Sequence, residues 1–82
     1  MTTTIELSFY PFQEQYRAAI REFIGKLKEH ADLRITVGPT STVLVGEHER
    51  VMDCLKAMME WSHANQGNSV FVAKFLLDYE PS

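Results

Sequence analysis

With 82 residues, of which 45% are hydrophobic and 11% aromatic, the chain is apolar enough for one globular domain, residues 1–82, and too apolar for a disordered or fibrous protein. A net charge of -3, a pI near 5.5 and basic residues scattered along the chain exclude nucleic acid as a partner, because phosphate recognition needs clustered Lys and Arg. A domain of this size buries only about 60% of its unfolded surface, which disfavours a large cavity and makes association with further copies the expected supplement.

Thr4 to Tyr10 alternates strictly, with Ile5, Leu7 and Phe9 on one side and Thr4, Glu6, Ser8 and Tyr10 on the other. This predicts a half-buried strand that Pro11 ends. From Gln13 to Glu29 the residues Tyr16, Ile20, Phe23, Ile24 and Leu27 follow helical spacing, while Arg17, Arg21, Glu22, Lys26 and Lys28 form the wet face. Gly25 costs that helix about 1 kcal/mol relative to Ala, which predicts a neighbour packed close to it. After a break at residues 30–32, Leu33, Ile35 and Val37 alternate with polar positions as a second strand. Gly38 and Pro39 then form a turn, since Gly tolerates positive φ and Pro fixes φ near the turn value. A β-branched third strand follows and closes at Gly46.

Glu47 and Glu49 place negative charge at the positive end of a second helix that runs to about Asn65. Its stripe is Val51, Leu55, Met58, Met59 and Ser62, flanked by Met52, Cys54 and Trp61. Asn65-Gln66-Gly67-Asn68 reads as a helix stop with Gly67 as the left-handed cap. Ser69 to Leu77 is apolar on both sides and predicts a last strand covered on both faces. The tail, residues 78–82, is expected to fray. The order strand, helix, strand, strand, helix, strand is α+β: a ferredoxin-like βαββαβ plait, with a four-stranded antiparallel sheet and two helices on one face. On the other face Glu6 and Ser8 are expected to look outward beside Leu44 and one apolar set of the last strand. Sheet-to-sheet association into a homodimer or homotetramer is the simplest cover for so mixed a surface.

No chemistry-bearing constellation stands out. A solitary Cys54 excludes an internal disulfide and is expected to be a small buried hydrophobe in a reducing compartment. His30, His48 and His63 have no metal-ligand spacing, and neither a phosphate loop nor a nucleophile elbow occurs. No catalytic residue, metal or cofactor is therefore assigned. The N-terminus lacks a basic region followed by an apolar run, and no apolar segment reaches membrane-spanning length. The expectation is a cytoplasmic protein without membrane insertion. Thr40, Ser41 and Thr42 are the exception, three hydroxyls at the opening of the third strand. They either satisfy turn amides or grip an uncharged polar ligand with both donor and acceptor edges. Tyr10, Trp61 and Phe71 are candidates to stack on a flat ring, or core residues, and Met52, Met58 and Met59 are adaptable packing.

The hairpin of Gly38, Ser41, Thr42, Val43 to Val45, Gly46 and Glu47 resembles that of the YkoF family, small proteins of a βαββαβ fold. The Tyr10-Pro11 pair, the spacing to Ile20 and Phe23-Ile24, and the Val51-Met52 opening of the second helix resemble the same family. The resemblance covers nearly the whole chain and implies non-catalytic binding of thiamine, hydroxymethylpyrimidine or a related small heterocycle, in salvage or transport. It points to Ser41 and Thr42 as ligand contacts, with Thr40 added by proximity. Some members carry the plait twice in one chain, whereas this chain carries it once, so two copies would meet as subunits. Glu6 is a candidate on physical grounds: a mid-strand carboxylate, once buried, needs a donor or a cation, which an aminopyrimidine or a thiazolium supplies. A solvent-facing Glu6, or one paired with Arg34 or Lys74, is the alternative. Glu47 reads first as a helix N-terminal acid. The other functional reading is a regulatory or assembly module that acts through the uncovered face without a ligand. A small plait enzyme is disfavoured by the shortage of inward polar residues.

Overall fold

The computed structural model describes residues 1–81. Six elements follow in order: β1 (Thr2–Pro11), α1 (Tyr16–Leu27), β2 (Arg34–Val37), β3 (Thr42–Glu47), α2 (His48–Gln66) and β4 (Ser69–Leu77). They form one antiparallel sheet of order β2-β3-β1-β4, the expected plait. Each helix links two parallel strands that are separated by a third, the split βαβ arrangement.

Alternation along β1 decides the layers. Ile5 and Leu7 are buried with Phe23 and Leu27 of α1 and with Val51, Cys54, Leu55 and Met58 of α2, in one cluster that Phe9, Trp61 and Phe71 extend. Both helices therefore cover the face of Ile5, Leu7 and Phe9. Register carries this face across the sheet: Ile5 stands opposite Leu44 and Phe75, and Leu7 opposite Thr42 and Ala73. Leu44 is thus an inward core residue, and the outward expectation for it is corrected. Val43 and Val45 are the β3 side chains on the open face, because they stand opposite Glu6 and Thr4.

Several local expectations are refined. Helix α1 matches its apolar positions but is shorter at both ends than the expected Gln13 to Glu29, since Gln15 provides no side-chain cap and residues 28–31 continue as tight turns. A Cβ built on Gly25 meets nothing within 4 Å, so the expected close neighbour is absent. At Gly46 a Cβ would meet Leu33 at 2.5 Å and Val51 at 3.3 Å, and here the missing side chain is what lets α2 and the segment before β2 close on the sheet. Glu47 caps α2 by accepting from the Arg50 amide at 3.3 Å. Gly67 ends α2 at φ 81 and ψ −152, a positive-φ stop in the mirror-β basin instead of the expected left-handed helical cap.

Strand β4 is not covered on both faces in the protomer. It is an edge strand on which Val72, Phe75 and Leu77 are 52%, 46% and 59% exposed. Residues 78–81 are held by hydrogen bonds where fraying was expected, and Ser82 lies outside the described residues. Asp78 turns the chain at φ 57, and the Tyr79 amide donates to the Thr2 carbonyl at 3.1 Å. Thr4 Oγ1 donates to the Tyr79 carbonyl at 2.7 Å. On the far edge, Arg34 Nη2 donates to the Pro81 carbonyl at 2.9 Å and pairs with Glu80 at 3.6 Å. The tail thereby crosses the open face from β4 to β2, which explains how Thr4 and Val45 are buried on a face without helices.

Candidate functional site

A cleft of about 410 Å³ opens where the carboxyl end of β1, the start of α1 and the β2–β3 hairpin meet. Its bottom is aromatic. Phe9 stacks on Phe23 with centroids 4.2 Å apart and planes 15° from parallel, and Phe71 braces both from behind at 4.9 and 5.7 Å. One wall is the helical face formed by Tyr16, Ile20, Phe23 and Ile24. The opposite wall is the hairpin from Val37 to Thr42, and Leu7, Ser8, Tyr10 and Pro11 close the sheet side.

The hairpin is held by its backbone and leaves its hydroxyls free. Gly38 N donates to the Ser41 carbonyl at 2.8 Å, and Ser8 Oγ donates to the Thr40 carbonyl at 3.2 Å. Both bonds use carbonyls. Among the described residues no protein group bonds to the hydroxyls of Thr40, Ser41 or Thr42, while no buried side-chain polar atom is left without a partner. These hydroxyls therefore remain accessible at the cleft. Thr40 is exposed at the hairpin tip, Ser41 is half-buried, and Thr42 is 9% exposed on the inward face. Tyr10, Tyr16 and Val37 keep 53%, 48% and 41% of their surfaces exposed around the same hollow, an apolar lining that a protomer alone does not cover.

Thr40, Ser41 and Thr42 are thus brought together, and Glu6 is not with them. Glu6 stands opposite Val43, one residue out of phase with the Leu7–Thr42 pair, so it projects from the open face. There it pairs with Lys74 at 3.6 Å, with both side chains substantially exposed. Of the three aromatics considered for stacking, Tyr10 borders the cleft, whereas Trp61 and Phe71 belong to the packed core. The residues that sequence reasoning missed are Tyr16, Ile20 and Ile24. They carry the apolar periodicity of α1, but only Ala19, Phe23 and Leu27 of that helix are fully buried. A stripe wider than the core requires was the available signal.

A second groove, of about 420 Å³, lies at the other end of β1 between Thr2, Asp32, Arg34, Gly46, Glu47 and Glu80. Its charges are largely engaged, because Arg34 pairs with Glu80 and Asp32 with Arg50. Among the described residues no group of three His, Cys, Asp or Glu side chains is placed to hold a metal ion. His48 Nδ1 lies 2.8 Å from Thr3 Oγ1, far along β1 from the cleft, and His63 is exposed. Burial pushes the Cys54 thiol up to about 11, with the Asp32 charge adding to the effect, so the sulfur stays protonated and unreactive. No helix of the described residues is long and apolar enough to cross a membrane.

No family model and no curated protein matches the chain. Solved structures do. A Thermotoga maritima protein named, provisionally, for thiamine biosynthesis or salvage (TM0486) has a TM-score of 0.82 and 23% identity, over 98% of this chain and 85% of its own. Protein SP2199 from Streptococcus pneumoniae has a TM-score of 0.84 and 25% identity, over 96% of this chain and 89% of its own. A domain of unknown function, DUF77, from Bacillus cereus has a TM-score of 0.75 and 21% identity, over 100% of this chain and 79% of its own. With neighbours drawn from the YkoF-like proteins, the chain has the fold of the family that its sequence resembles.

Proposed function

We propose that this chain is a non-catalytic binding protein for thiamine, hydroxymethylpyrimidine or a related small heterocycle, acting in the cytoplasm in thiamine salvage or transport. The observation that carries the reading is the cleft itself. An aromatic bottom suited to a flat ring lies beside three hydroxyls that no protein group occupies. Such a site binds by stacking and by orienting edge groups, and it contains no acid–base pair to do chemistry. The name of the Thermotoga maritima protein supports the choice of ligand class. Glu6 enters this scheme only as a residue of the open face, where a second copy would bring it near new neighbours.

The oligomer belongs to the same proposal. Val70, Val72 and Leu76 remain 41%, 52% and 38% exposed on the open face beside Glu6 and Lys74. A homodimer that lays two such faces together, or a homotetramer built from it, would cover them. These exposed side chains also favour the second reading, an assembly module that needs no ligand. Thermal shift separates the two. Ligand at 100 times its dissociation constant stabilises by about 2.7 kcal/mol, which for a domain of this size raises the melting temperature by roughly 10 °C or more. No shift with thiamine or hydroxymethylpyrimidine at millimolar concentration would reject the ligand reading and leave the module.

A further inference from the structure

We propose that the cleft discriminates by charge, accepting a flat neutral or cationic ring and rejecting the phosphate ester of that same ring. This rests on the reading of the cleft as a ligand site and adds a selectivity to it. Every side chain that borders the cleft is aliphatic, aromatic or a hydroxyl, and none carries a formal charge. The Phe9–Phe23 stack and Tyr16 border the hollow, with Tyr10 at its rim, and the negative π-faces of such rings attract cations and electron-poor ring edges and repel anions. Hydroxyls of Thr40, Ser41 and Thr42 satisfy an amino or hydroxymethyl edge, but they cannot neutralise a dianion that has been taken out of water.

Positive charge near the cleft is weak. Arg17 lies over the Tyr16 ring at 5.8 Å from its centroid on the exposed side of α1, where solvent and salt screen it. The start of α1 contributes only about half a unit of positive charge. With a net charge of -3 on the whole molecule, the long-range field also opposes an approaching phosphate. Size acts in the same direction. At about 410 Å³ the cleft is near the lower end of ligand pockets, which run from about 300 to 1,000 Å³. It suits one or two small rings with short substituents.

Calorimetric titration at physiological salt with hydroxymethylpyrimidine, its monophosphate, thiamine and thiamine diphosphate tests the proposal. The alcohol should bind at least about tenfold more tightly than the monophosphate, and thiamine more tightly than its diphosphate, because an unpaired buried charge is costly. A monophosphate that binds as tightly as the alcohol overturns the charge selectivity and leaves the ligand site standing. No heat from any of the four overturns both. Thr40→Lys, with Pro39→Arg as a second variant on the same exposed rim, places a cation at the cleft mouth. Either variant, if folded by circular dichroism, should narrow the alcohol-to-phosphate ratio at least about threefold. An unchanged ratio in both folded variants counts against the proposal.

Discussion

Single residues show where this fold is tight and where it is loose. Two glycines make opposite predictions. Nothing lies within 4 Å of a Cβ at Gly25, so Gly25→Ala should stabilise by about 0.5–1 kcal/mol in urea unfolding, the helix-propensity difference. Gly46→Ala should destabilise by roughly 1–3 kcal/mol, because Leu33 and Val51 must move to admit the methyl group. Cys54 provides a pH test. Its folded value of about 11 is raised above the ordinary 9.0, so its contribution is fully present below pH 9 and is lost as pH rises toward 11. Stability should therefore fall between those values, and Cys54→Ala should flatten that alkaline limb. A thiol reagent should label Cys54 only on unfolding. The role of Gly46 could not be read from its neighbours in sequence. Its crowding comes from Leu33 and Val51, which the chain brings together from before β2 and from within α2.

Elements were legible in proportion to their periodicity. The alternation of β1 identified its buried side without ambiguity, and Ser69–Leu77 was legible to its boundaries. Val43-Leu44-Val45 was not, because every residue in it is apolar and only the pairing of Ile5 with Leu44 decides which side turns inward. The same limit governs the site. Hydroxyls at the hairpin were visible as a cluster, whereas the α1 wall looked like core, since apolar spacing does not distinguish a residue that packs from one that lines a hollow. At this scale the cleft predicts that Ser41→Ala and Tyr16→Ala each reduce the ligand-induced thermal shift by at least half. Unliganded melting should change little for either, since Tyr16 is 48% exposed and Ser41 makes no hydrogen bond from its side chain among the described residues. The tail makes its own prediction. Thr4→Val removes the bond to the Tyr79 carbonyl and should cost about 1 kcal/mol, with faster hydrogen exchange at the Tyr79 amide as the local readout.

At the scale of the whole molecule, burial is uneven. The helix side holds the core, while the other side is closed at one end by the tail and bare at the other, where Tyr10, Val70 and Val72 are exposed. Val72→Glu is expected to shift sedimentation toward the monomer without lowering protomer stability, because Val72 is half exposed and would become buried only against a second copy. Sedimentation of a wild-type protein that is monomeric at tens of micromolar would remove the homodimer from the proposal. The strap over the sheet has a practical consequence for anything joined to this protein. Because Pro81 is anchored to Arg34 at the β2 margin, cargo fused after it would depart beside Asp32 and Glu47. That exit lies a full strand length away from the hairpin mouth. A reporter attached there would leave the mouth of the hairpin cleft unobstructed.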